Sequence, residues 1–151
     1  MLPRLALALL LPLVTAGCKA APVNATPEGA VRELVERLAA LGSDQASARA
    51  AYAVLSSTSR QNLDRRAARY GDASGKLIDP SAMLVPARAS LRFVPRTYQA
   101  RVEGSRATVE VLGMAPEESA RLECVLEDGL WRVELPLPEL APMPRRPGAE
   151  P

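Results

Sequence analysis

The chain has 151 residues, with 19 Lys and Arg against 17 Asp and Glu, a formal net charge of +2, no His and two Cys. That balance gives no global electrostatic pull toward nucleic acid. The absence of His removes imidazole acid–base catalysis and imidazole metal ligands, and two thiols are too few for a thiolate metal cluster. No glycine-rich phosphate loop follows a predicted strand.

Residues 1–17 read as an export signal. Arg4 gives a positive start, and the Leu- and Ala-rich run Leu5–Val14 is ten residues long, the length of a signal core and too short to span a bilayer. Thr15, Ala16 and Gly17 are small enough for a peptidase cleft, and Cys18 follows directly. Ala16-Gly17-Cys18 resembles the lipobox of bacterial lipoproteins, with Thr15 where Leu is commonest. The resemblance implies cleavage before Cys18 and acylation of its thiol and new amino group; two or more acyl chains anchor stably where one does not. Lys19, where an Asp would signal inner-membrane retention, implies by the same resemblance the outer membrane, facing the periplasm. The alternative is a secreted protein with a Cys18–Cys124 bridge. Cleavage leaves about 134 residues, one domain on length.

Residues 18–25 are expected to be a tether without periodicity. Thr26 then caps a helix with Pro27 in its first turn. Val31, Leu34, Val35, Leu38 and Leu41 form its apolar stripe, while Arg32, Glu33, Glu36 and Arg37 take the other face. Gly42 ends it. Ser43 or Asp44 starts a second helix with Ala48, Ala51, Tyr52 and Leu55 along one side. A third follows Ser56-Ser57-Thr58 to about Tyr70, showing Leu63, Ala67 and Tyr70 on its apolar side. Gly71–Gly75 reads as loop, and Pro80–Val85 as a short helical turn.

The period then drops to two. Tyr98, Ala100 and Val102 form one face of a first strand, and Ala107, Val109 and Val111 of a second, across a turn at Gly104-Ser105. Ala120, Leu122, Cys124 and Leu126 mark a third. Asp128-Gly129 is a strong hairpin signal, leading to Trp131, Val133 and Leu135. Cys124, on the apolar alternation, reads as a buried small hydrophobe, and Trp131 as packed against the first helix. Pro136 and Pro138 stop the sheet, and residues 139–151 read as a Pro-rich, disordered tail.

Helices followed by an antiparallel meander with one apolar face make an α+β domain over residues 26–138. This order, with the closing stretch "LECVLEDGLWRVELPLP", resembles the NTF2-like or cystatin-like superfamily. The resemblance implies N-terminal helices packed on a curved sheet of about four strands that forms a cone. It assigns no activity, since that superfamily holds enzymes, binding modules and assembly factors.

No Asp or Glu falls on the inward strand positions, so no catalytic residue, cofactor or metal site is expected, and the chain reads as not an enzyme. Tyr52, Tyr98 and Trp131 are candidate pocket residues for an apolar ligand in the cone; buried tyrosines with satisfied hydroxyls are the plainer reading. Arg60, Arg65, Arg66 and Arg69 on the third helix, and Arg88, Arg92 and Arg96 with Arg101 and Arg106 further along the same stretch, are a candidate binding surface for an acidic partner. Lys occurs only at Lys19 and Lys76, so a solvated arginine face is the plainer reading there too. The expectation is a lipid-anchored envelope protein with a non-catalytic binding or assembly role and an envelope protein as partner. The alternatives are an apolar-ligand-binding domain and, less favoured, an NTF2-like enzyme.

Overall fold

The computed structural model describes residues 21–41, 45–84 and 90–140. The export signal, Cys18, Arg88, the caps at Ser43 and Asp44 and the tail beyond Leu140 lie outside the described residues. Three helices, α1 (Pro27–Ala39), α2 (Gln45–Ala53) and α3 (Ser57–Ser74), precede four strands, β1 (Thr97–Glu103), β2 (Arg106–Leu112), β3 (Ser119–Glu127) and β4 (Leu130–Glu134). The strands form one antiparallel sheet in the order β1-β2-β3-β4. This is the expected α+β arrangement.

The alternating pattern fixes the register. Tyr98 pairs with Val111, Ala100 with Val109 and Val102 with Ala107, and Ala107, Val109 and Val111 pair in turn with Cys124, Leu122 and Ala120. Cys124 faces Val133 and Leu126 faces Trp131. These apolar positions therefore land on one face, because a slip of one residue would turn the whole set to water. At the β3–β4 turn Asp128 and Gly129 have φ of 52° and 76°, the two left-handed residues a twisted two-residue hairpin needs.

Helix α1 lies on that apolar face, touching β1, β2 and β4. Its Ala30, Val31, Leu34 and Leu38 are buried against Ala107, Val109, Val111, Cys124, Trp131 and Val133. Thr26 Oγ1 accepts from Gly29 N at 3.1 Å as the N-cap, and Arg37 Nε donates to Glu33 Oε1 at 2.8 Å along the exposed side. Trp131 is 8% exposed, in keeping with its expected place in the core.

Three expectations need correction. Residues 23–25 are not free tether: they form a 3-10 turn docked on the domain. Asn24 is buried there and its Nδ2 donates to Trp131 O at 3.3 Å, a polar anchor that hydrophobic periodicity does not reveal. Helix α3 runs through Gly71 to Ser74 and ends where Gly75 takes φ 68° as its left-handed cap; of two glycines, the one able to close the helix is the second. Tyr70 is exposed, not apolar-side core, because the buried stripe of α3, Ser59, Asn62, Leu63 and Ala67, ends before it. Pro80–Met83 form a short 3-10 turn, begun by Asp79, whose Oδ1 accepts from Ser81 N at 3.0 Å. Among the described residues no helix is long and apolar enough to cross a membrane.

The outer edge of β4 is closed by side chains and linker backbone. Val133 N donates to Val54 O at 2.9 Å, Val133 O accepts from Ser56 N at 2.8 Å, and Leu135 N donates to Ser59 Oγ at 2.9 Å. Leu55, expected on the stripe of the second helix, lies beyond the end of α2 and instead forms an isolated parallel bridge to Val133 of β4. At the opposite edge, Ala100 N of β1 donates to Glu28 Oε1 at 3.2 Å.

Candidate binding surface

Helix α1 fills the space that the cone reading assigns to a ligand. Val31 and Leu34 on the helix, and Val109, Val111, Cys124 and Val133 on the sheet, are fully buried against one another. Tyr98 on β1 and Trp131 on β4 stand on opposite edge strands, with α1 packed over the face between them. Tyr52 sits apart, where its hydroxyl donates to Asp64 Oδ1 at 2.6 Å and ties α2 to α3. Burial, together with that bond, pushes the Tyr52 hydroxyl up from 10.0 to about 12. The three aromatic candidates do not converge on one pocket.

The arginines separate as well. Arg60 reaches Glu127 Oε2 at 3.7 Å, and the same carboxylate accepts from Ser57 N at 2.9 Å, so this end of α3 is pinned to β3. Arg66 donates to Asn62 Oδ1 at 2.7 Å and to Pro138 O at 2.6 Å, which corrects its expected role: its fork holds the segment after β4 against α3. Arg65 is exposed, and Arg69 is half-exposed. Arg92 and Arg96 are exposed on the segment leading into β1, where Arg96 N donates to Leu112 O at 2.7 Å. Arg60 and Arg66 therefore serve the β4 side of the sheet while Arg96 stands at β1, and the two groups do not form one stripe. Arg101 and Arg106 are paired with Glu103 and Glu134 at 3.0 and 3.5 Å.

A groove does form where α1 crosses the start of β1. Arg32, Val35, Glu36 and Ala39 line one wall, and Pro95, Arg96 and Tyr98 the other, around about 400 Å³. The Arg32 guanidinium sits 5.0 Å from the centre of the Tyr98 ring, a cation–π contact across the groove. Burial raises the Tyr98 hydroxyl pKa against the opposing pull of Arg32, so the phenol stays a neutral donor at ordinary pH. The groove thus offers an aromatic floor, two guanidinium groups and one carboxylate, a composition suited to an acidic or mixed polar-apolar segment of another molecule. Arg32 and Glu36 were legible only as a solvated helix face. Their helical spacing placed them together, but nothing local placed Tyr98 beneath them.

The outer face of the sheet is mostly polar, and several of its side chains bond to one another. Thr108 Oγ1 donates to the Glu123 carboxylate at 3.1 Å, and Arg121 Nη2 to Glu110 Oε1 at 3.4 Å. Among the described residues no group of three or more Cys, Asp or Glu could hold a metal ion. Cys124 is buried, and burial first, then nearby carboxylates, pushes its thiol from 9.0 to about 12. It packs as a small apolar residue and is not poised as a thiolate nucleophile. No protein-family model, no curated protein and no solved structure matches this chain, so the surface is read from its own chemistry.

Proposed function

We propose that this chain is a lipid-anchored protein of the bacterial cell envelope whose domain binds an acidic segment of an envelope protein, without catalysis. The observation that carries the reading is the packing of α1 onto the centre of the sheet's apolar face, where Val109, Val111, Cys124 and Val133 are fully buried. With that face filled, recognition falls to the exterior, where the α1–β1 groove combines Arg32, Arg96, Glu36 and the half-buried Tyr98. Acylation at Cys18, after the Ala16-Gly17-Cys18 stretch, supplies the anchor, and the outer membrane is the proposed site because Lys19 follows.

The test uses membranes from cells making the full chain. Cys18→Ser is expected to abolish palmitate labelling and release the protein to the soluble periplasm. Arg32→Glu with Arg96→Glu is expected to leave membrane attachment and melting temperature near wild type and to remove a co-purifying partner. A partner retained at full stoichiometry by the double variant overturns the groove, and unchanged membrane attachment of Cys18→Ser overturns the anchor.

A further inference from the structure

We infer that the end of the sheet carrying the β1–β2 and β3–β4 turns rests on the lipid surface, with Val23, Val102 and Leu126 in contact with it. This orientation rests on the acylation of Cys18 proposed above.

The chain leaves the domain at a fixed point. The 23–25 turn is held by the Asn24–Trp131 hydrogen bond and lies so close to α1 that a Cβ on Gly29 would stand 1.9 Å from Val23 O. Between Cys18 and Val23 lie only Lys19, Ala20, Ala21 and Pro22. Five fully extended steps reach about 18 Å at most. A domain of this size has a radius of gyration of about 13 Å, so that leash is roughly half its width. The domain cannot turn its far side to the membrane without pulling Val23 off its seat.

The surface around the exit point suits lipid. In a four-stranded meander the β1–β2 and β3–β4 turns lie at one end and the β2–β3 loop at the other. Leu126 is the cross-strand partner of Trp131, whose carbonyl holds Asn24. Val23, Val102 and Leu126 are 58, 53 and 40% exposed, whereas Ala107, the cross-strand partner of Val102, and Cys124, two residues inward from Leu126, are covered by the core. At this end Arg101, Arg106 and Arg60 pair with Glu103, Glu134 and Glu127, and Arg132 donates to Ala53 O, so these arginines are engaged within the domain and the contact depends little on salt. An apolar rim beside an anchored exit is covered at little cost by the interface that the anchor already holds near.

The experiment labels the full-length chain in a Cys124→Ala background with an environment-sensitive nitrobenzoxadiazole at Leu126→Cys, Val102→Cys or Met114→Cys. Met114 is 74% exposed on the β2–β3 loop and reports the far end. Each acylated protein is reconstituted in phosphatidylcholine vesicles, with palmitate label and melting temperature checked in parallel. Blue-shifted emission at 126 and 102, quenched by brominated lipid and unchanged in high salt, with 114 remaining in water, is the expected result. Equal emission at all three positions in acylated, pelleted protein overturns the orientation and leaves the anchor standing. Absence of the palmitate label overturns both.

Discussion

Trp131 and Cys124 show how single side chains set the stability of this domain. Trp131 lies between β4 and α1 and its carbonyl also seats Asn24. Trp131→Ala is expected to cost ~3–5 kcal/mol, a large share of the ~5–15 kcal/mol typical of a domain, read as a large drop in melting temperature; a drop of only a few degrees would place the ring outside the core. Cys124 and Tyr52 set the alkaline limit. Both titrate near about 12 when folded, against 9.0 and 10.0 ordinarily. Below pH 9 both groups are protonated in either state, so this stabilisation is fully present. Above pH 9 the unfolded thiol, and above pH 10 the unfolded phenol, loses a proton that the folded state keeps. The unfolded chain then binds fewer protons, and stability falls as pH rises until the folded values near 12 are passed. Cys124→Ala should flatten the fall between pH 9 and 10, where the thiol acts alone. Identical melting profiles for variant and wild type over that interval would exclude the thiol as its source.

At the scale of elements, the docked 23–25 turn and the α2–α3 linker solve one problem from two sides: β4 is an edge strand with a free row of backbone groups, and edges invite pairing with other chains. Asn24, Val54, Ser56 and Ser59 occupy that row. Gly29 is what lets the turn close. Replacing Gly by Ala within a helix ordinarily gains about 0.5–1 kcal/mol. Here the new methyl would meet a backbone oxygen at 1.9 Å, so the sign reverses. Gly29→Ala should lower the melting temperature and speed amide exchange at Ala25, whose N donates to Pro22 O at 2.9 Å. A rise in melting temperature would show that the turn is not seated where α1 requires it. Arg66 does the comparable work after β4, holding Pro138 O against α3.

Across the whole molecule, two surfaces point in different directions. The α1–β1 groove uses the second half of α1 and the start of β1, next to Leu112 at the β2–β3 end, and the proposed lipid-facing rim lies at the opposite end of the same sheet. Charge separates them. Partner binding through Arg32 and Arg96 is expected to weaken steeply with ionic strength, since exposed charges are screened within about 8 Å at physiological salt. Membrane attachment, carried by acyl chains and apolar side chains, should not. A salt titration of isolated membranes that releases the partner while the protein stays in the pellet is the expected outcome; simultaneous release of both would contradict the division.

The order of elements, the face of each strand and the hairpin at Asp128-Gly129 were legible in the sequence, because binary patterning and turn chemistry are local: a period of two, two left-handed residues, a proline that cannot pair. The same local rules named Thr26 as a helix start, put the third helix after Ser56-Ser57-Thr58, and placed Trp131 and Cys124 inside; the structure starts that helix at Ser57 with Ser56 as its cap. What tertiary structure decided was everything that depends on which distant residue arrives alongside. Arg66 looked like surface charge until Pro138 came within reach, and Asn24 looked like tether until β4 offered the Trp131 carbonyl. Arg32 gained a partner only when Tyr98 passed under α1, and the cone interior vanished because one amphipathic helix had enough buried Val and Leu to fill it. Patterning fixes which side of an element is apolar, but the apolar side does not specify its cover, and in this fold the choice of cover moved the candidate site from the inside of the sheet to its edge.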